Sequence, residues 1–211
     1  MLPEICGGAL VFILTNRYTW RMARDANATR EQIIQAADCL FYGEGIRSAS
    51  MDAIAARAGL TKRTLYYHFR SKDDLIAAYL AARDEPTLSR YAGWLDETKG
   101  DLPEQILGVF ERLARLTKSA RWKGCVFLRA AGELAGTPGH PALKIGSAHK
   151  KKFEAWLAGR IAAKGLSEAA LRARQVMLLI DGAAAQVLIH RDPAYALAAG
   201  EVAAALVTEK V

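Results

Sequence analysis

The stretch GLTKRTLYYHFRSKDDL, residues 59 to 75, gathers the side chains that bind phosphate. Lys62, Arg63, Arg70 and Lys72 supply positive charge, Thr64, Tyr66 and Tyr67 supply hydroxyls, and His68 lies among them. Lysine and arginine neutralise phosphates or reach guanine edges, and hydroxyls donate to phosphate oxygens, so the mixture suits a nucleic-acid groove. From Ala53 to Lys72 five residues are basic, Arg57 included, and none is acidic. Elsewhere the chain mixes signs, although its net charge is +7 and its pI is near 9.4. An anionic partner is therefore expected at this stretch rather than everywhere.

Other reactive side chains are sparse. His140, His149, His190, Cys125 and Asp181 are the catalytic types present, and no nucleophile elbow, paired metal ligands or glycine-rich phosphate loop organises them. No catalytic residue, metal site or cofactor is expected, and the chain reads as a non-enzyme. Cys6, Cys39 and Cys125 are odd in number and lack C-x-x-C spacing, which fits reduced thiols in a cytoplasmic protein. For Cys125, packing is the simpler role than redox sensing.

Helices must position the basic stretch. Alanine-rich composition, 52% hydrophobic content and only six prolines favour an all-α fold with a real core. Thr29 is expected to cap a first helix, with Ile33, Ala37, Leu40 and Phe41 inward and Gly43 and Gly45 at its end. Ser50 caps MDAIAARAG, Gly59 stops it, Thr61 caps KRTLYYHF, and Ser71 caps a fourth helix with Asp73 and Asp74 in its first turn. Two short helices joined by a three-residue glycine-containing turn have the form of a helix-turn-helix, whose second helix enters the DNA major groove. At about 100° per residue, Leu65 and Phe69 point to the core, Arg63, Thr64 and Tyr67 point away, and Tyr66 and His68 flank them.

Residues 29 to 80 resemble the DNA-binding domain of the TetR family of bacterial transcriptional regulators. The resemblance rests on IIQAADCLFYGEG, on SMDAIAARAGLTKRTLYYHFRSKDDL, and on the L-Y-x-H-F-x-S-K core at Leu65 to Lys72. It implies a homodimeric, all-helical protein, usually a repressor, that binds a palindromic operator on double-stranded DNA and releases it when a small molecule enters the C-terminal domain. By position it implies DNA contacts from Lys62, Arg63, Thr64, Tyr66, Tyr67, His68 and Lys72, with Ser50 and Met51 near the backbone. Arg63 departs from the small residue that many members carry there, which leaves base readout or added phosphate affinity open. A transcriptional activator of the same fold and a non-specific architectural DNA binder are the alternatives. The long remainder of the chain speaks for a regulator.

Residues 76 to 211 are expected to form that regulatory and dimerisation domain, following the DNA-binding unit at 29 to 75. Pro86 is expected to end the fourth helix or its continuation. LPEQILGVFERLARLTKSA reads as amphipathic, and Pro138, Gly139 and Pro141 set a loop in which His140 lies. His149 to Lys152 reads as a solvated face of the next helix. Phe110, Trp122, Phe127, Phe153 and Trp156 are the expected lining of a pocket for an effector of unknown identity. The last two helices resemble the family's dimer-forming bundle, a monomer core being the alternative. Residues 1 to 28 are expected to be a disordered or loosely docked extension, unless translation starts at Met22. Its apolar run, Ile5 to Leu14, is too short to span a bilayer, which needs about 20 residues, so no membrane partner is expected.

Overall fold

The computed structural model describes the backbone of residues 9–208 and the side chains of residues 26–208. These residues form helices alone: α1 (Ala9–Glu44), α2 (Met51–Arg57), α3 (Lys62–His68), α4 (Lys72–Glu97), α5 (Leu102–Thr117), α6 (Val126–Leu134), α7 (Pro141–Ala162), α8 (Ala169–His190) and α9 (Ala194–Leu206). Among the described residues no helix is long and apolar enough to cross a membrane. Residues 1–8 of the expected N-terminal extension, Cys6 included, lie outside the described residues.

The first helix differs from expectation at its start. It begins at Ala9, so Thr29 lies inside a continuous helix rather than at its start. Nothing between residues 9 and 29 is a proline or glycine, and without a breaker a capping-type residue does not by itself start a helix. At its other end Gly45 adopts φ +102°, and its N–H bonds to the Phe41 carbonyl, the glycine stop that the sequence announces.

Two hydrophobic clusters organise the molecule. The first holds Ile33, Ala37 and Phe41 of α1, Ile54 of α2, Leu65 of α3, and Leu75 and Leu80 of α4; Phe127, Leu134 and Ala142 of α6 and α7 close it. The second joins Leu88 and Leu95 of α4 to α5, α7, α8 and α9 through Phe110, Phe153, Leu157, Val176, Val187 and Ala203. Helix α4 thus contributes to both, and the expected division after residue 75 falls within its first turns.

Pro86 lies inside α4 and does not end it. An interior proline loses one hydrogen bond and costs about 3 kcal/mol. Tyr79 and Leu80 before it and Leu88 and Leu95 after it are buried in the two clusters, and this burial offsets the cost, since each fully buried large side chain is worth roughly 1.5–3 kcal/mol. Helix α5 opens with a capping box in which Asp101 accepts from Glu104 N and Glu104 returns a bond to Asp101 N. Helix α9 packs so closely on α5 that a Cβ placed on Gly200 would come within 2.7 Å of the Phe110 Cβ.

Candidate functional site

Local chemistry builds the basic surface. Ser50 Oγ accepts from Ala53 N at 3.0 Å, Thr61 Oγ1 from Thr64 N at 3.1 Å, and Ser71 Oγ from Asp74 N at 3.1 Å, so α2, α3 and α4 each start on a hydroxyl cap. Gly59, at φ +65°, turns the chain between α2 and α3. Gln32 Nε2 donates to the Ala58 carbonyl at 2.6 Å and ties α1 to the end of α2.

Leu65 is fully buried, and the opposite face of α3 is open, with Tyr67 82% and Tyr66 42% exposed. Arg63 is exposed and has no hydrogen bond or ion pair within the described residues. Thr64 and His68 are half-buried, and the His68 ring meets Tyr67 edge-on at 5.2 Å. Phe69 is buried too, but by a different route from the expected helical spacing. It is the C-cap, in extended backbone at φ −135°, and its ring lies beneath the Arg30 guanidinium at 4.8 Å.

Two of the expected cations have partners. Lys62 Nζ lies 2.8 Å from Asp52 Oδ1, and the hydrogen bond to that carboxylate raises its pKa. The acid sits one residue outside the acid-free stretch, a pairing across the turn that charge counting misses. Lys72 Nζ donates to the Arg47 carbonyl at 3.2 Å, and partial burial lowers its pKa. Ser50 is exposed beside the capped α2, whereas the Met51 side chain packs in the core at 8% exposure.

The second feature is an open-mouthed cavity of about 250 Å³ lined by α1, α4, α5, α7, α8 and the segment before α6. Of the five residues expected around a pocket, Trp122 and Phe153 line it. Phe110 and Trp156 instead border a tightly filled gap of about 10 Å³ deeper in the bundle. Phe127 turns into the cluster below the basic surface and stacks on His149 at 3.8 Å.

Sequence reasoning missed the polar wall of the cavity: Tyr42, Arg83, Arg90, Arg121, Lys150 and Asp181. A signal existed in the helical spacing, because Arg83, Thr87 and Arg90 share a face of α4, and Asp181 interrupts an otherwise apolar stretch beside Ile180 and Ala184. His149 is likewise not part of a solvated face. It is 3% exposed, and its Nδ1 lies 2.6 Å from Asp84 Oδ1. Burial lowers the imidazole pKa against the opposing effect of Asp84, while the bond to His149 lowers the Asp84 pKa. His140 is also buried rather than a free loop residue: it caps α7, its Nδ1 accepting from Ala142 N at 3.0 Å. Its Nε2 lies 3.2 Å from Asp73 Oδ1, without the alignment of a hydrogen bond.

Cavity and basic surface share connections. Tyr42 Oη accepts from Lys123 N at 2.8 Å and donates to the Gly124 carbonyl at 3.2 Å. Arg129 Nη1 donates to the Tyr42 carbonyl at 2.8 Å, and Arg47 N donates to Glu133 Oε2 at 3.0 Å. The segment that walls the cavity through Trp122 and Cys125 thereby grips the end of α1, and α6, which follows it, holds the turn that receives Lys72.

Comparison with known proteins agrees with this architecture. Residues 33–79 match the family described as bacterial regulatory proteins, tetR family. The chain is 30% identical to SCO4454, a TetR-family transcriptional regulator from Streptomyces coelicolor, over 86% of this chain and 96% of that one, with a TM-score of 0.73. It is 32% identical to SAV143 of Streptomyces avermitilis, a candidate TetR-type regulator, over 78% of this chain and 88% of that one, with a TM-score of 0.68. Among curated relatives, the transcriptional regulator TtgR of Pseudomonas putida is 33% identical over 105 residues, 48% of this chain and 50% of TtgR. The chain spans about half the length of such relatives, or less.

Proposed function

The chain belongs to the TetR family of DNA-binding transcriptional regulators, and on that premise we propose that it is a cytoplasmic homodimeric repressor released from a palindromic operator by a small molecule. The observation that carries the DNA end is α3 itself: a capped helix whose tyrosine is 82% exposed beside an unpaired arginine. Helix formation leaves Arg63, Thr64, Tyr66, Tyr67 and His68 for the groove, with Lys62, Lys72 and Ser50 at the phosphates. The proposed DNA-binding unit is residues 29–75, and residues 76–211 regulate and dimerise.

The dimer reading is supported by α8 and α9. Leu171, Leu178 and Ile189 are 45%, 68% and 69% exposed, and with Gly182 and Ala185 they form one stripe along α8. Tyr195 and Val202 of α9 are 40% and 53% exposed and fall one above the other on that helix. An apolar strip of this length on two adjacent helices fits a mate of the same shape, and a two-fold axis would make it self-complementary. Release follows from the connections at Tyr42. A ligand that displaces the Trp122–Val126 segment moves the end of α1 and the α1–α2 turn, which changes the separation of two recognition helices that must match half-sites about 34–36 Å apart.

Selection of genomic fragments by the purified protein, followed by nuclease protection of the best binder, tests this reading. The expected result is a protected palindrome with half-sites about one helical turn apart. Protection without symmetry, or equal retention of all fragments, would remove the operator-specific dimer.

A further inference from the structure

We propose that the cavity takes a small aromatic anion, a carboxylate on a one- or two-ring body, held by Arg90 and Arg121. The inference rests on the reading of this cavity as the effector site and names the chemical class of what it binds. Size sets the body. A cavity of about 150 Å³ accommodates benzene, and at about 250 Å³ this one has room for a ring system with a short polar substituent. Tyr91, Trp122 and Phe153 supply aromatic lining, the Tyr91 and Phe153 rings packed together at 4.9 Å.

Charge sets the head group. Four cations, Arg83, Arg90, Arg121 and Lys150, line the cavity with a single carboxylate, Asp181. Lys150 is paired with Asp181. Arg83 is paired with Asp38 of α1 and lies over the Tyr42 ring at 5.6 Å. The guanidinium groups of Arg90 and Arg121 have no hydrogen bond or ion pair within the described residues. Both residues are solvent-exposed, at the rim, where an arginine keeps its hydration until a ligand arrives. The wall therefore carries two uncommitted forks of the geometry that binds carboxylate in a bidentate manner. A cationic ligand would meet a net positive rim, and a neutral one would leave both arginines without new partners.

Calorimetric titration of the full-length protein with 2-naphthoate, 2-naphthalenemethanol, 2-naphthylmethylammonium and acetate tests the class, and each compound is also added to the complex with the selected DNA fragment. The expected result is that 2-naphthoate binds at least about tenfold more tightly than the alcohol, with no binding of the ammonium or of acetate. In Arg90→Gln/Arg121→Gln, folded by circular dichroism, the preference of acid over alcohol should vanish while the alcohol is held as before. Equal binding of acid and alcohol, binding of acetate alongside naphthoate, a preference for the ammonium, or binding of none at millimolar concentration would overturn the proposal. Naphthoate binding that leaves the DNA complex intact would uphold the anion site and remove the release reading instead.

Discussion

His149 of α7 stands 2.6 Å from Asp84 of α4, through Nδ1 to Oδ1, with its ring stacked on Phe127 at 3.8 Å. The contact joins the two hydrophobic clusters, because Phe127 belongs to the one beneath the basic surface and Phe153, edge-on to the same imidazole, belongs to the other. Burial holds the folded-state pKa of His149 below its ordinary 6.5. The unfolded chain then binds more protons than the folded one as pH falls through that value, so stability is full above it and declines below it. Asp84, held below its ordinary 3.8, adds a loss only in stronger acid. Between pH 7 and pH 5.5 the melting temperature should fall, with a slope of at most about 1.4 kcal/mol per pH unit from this group. His149→Gln should start less stable and show a flatter profile. A wild-type profile already flat over that range would contradict the assignment.

Gly200 and Gly159 should respond to alanine with opposite signs. Both lie inside helices, where alanine is favoured over glycine by about 1 kcal/mol. At Gly159 nothing lies within 4 Å of the added carbon, so urea unfolding should show a gain of about 0.5–1 kcal/mol. At Gly200 the carbon would meet the Phe110 Cβ at 2.7 Å and Leu107 Cδ1 at 3.3 Å. Forcing α9 away from α5 costs about 1–3 kcal/mol and outweighs the propensity gain. A stabilised Gly200→Ala would mean that the helices do not approach this closely.

Leu178 and Ile189 test the dimer without touching the monomer core. Each is more than two-thirds exposed, so glutamate at either position should change monomer stability by less than about 0.5 kcal/mol. Across a two-fold interface the same substitutions bury unpaired charge. Leu178→Glu/Ile189→Glu should sediment as a monomer and bind the full operator far more weakly, with an unchanged circular dichroism spectrum. A dimer of undiminished stability would move the interface elsewhere.

The helix-turn-helix end of the chain was legible because its instructions are local. Hydroxyls at Ser50, Thr61 and Ser71 announce helix starts, Gly45 and Gly59 announce stops, and Leu65 falls inward by spacing alone. Phe69 reached the core from an extended cap, which helical arithmetic does not describe. Pro86 and His149 escaped for a different reason. Both are decided by partners distant in sequence, the two clusters that hold α4 continuous across the proline and the Asp84 carboxylate that receives the imidazole. The cavity was least legible: its wall is assembled from Tyr42 through Ala184, and the eye drawn to aromatic residues passes over the arginines between them.

Arg63 and Lys72 separate reading from gripping. Lys72 opens α4, outside the α3 recognition helix, and reaches the Arg47 carbonyl at the α1–α2 turn, so Lys72→Ala should weaken every duplex alike and lower the salt slope by about one. Arg63 stands near the start of α3, the part of a recognition helix that meets base edges, and none of its donors is committed within the protein. A bidentate contact to guanine would make Arg63→Ala lose about 1–3 kcal/mol on the preferred site while relaxing the preference at one base position. Lys62 is no equivalent substitute, since its ammonium is shared with Asp52 and lacks the planar fork that matches a guanine edge. Fluorescence anisotropy on the selected operator and on its single-base variants, each over a salt series, measures both quantities. A uniform loss for Arg63→Ala across all variants, with a reduced salt slope, would assign Arg63 to the phosphates, and sequence discrimination would then fall to the hydroxyls and imidazole of Thr64, Tyr67 and His68.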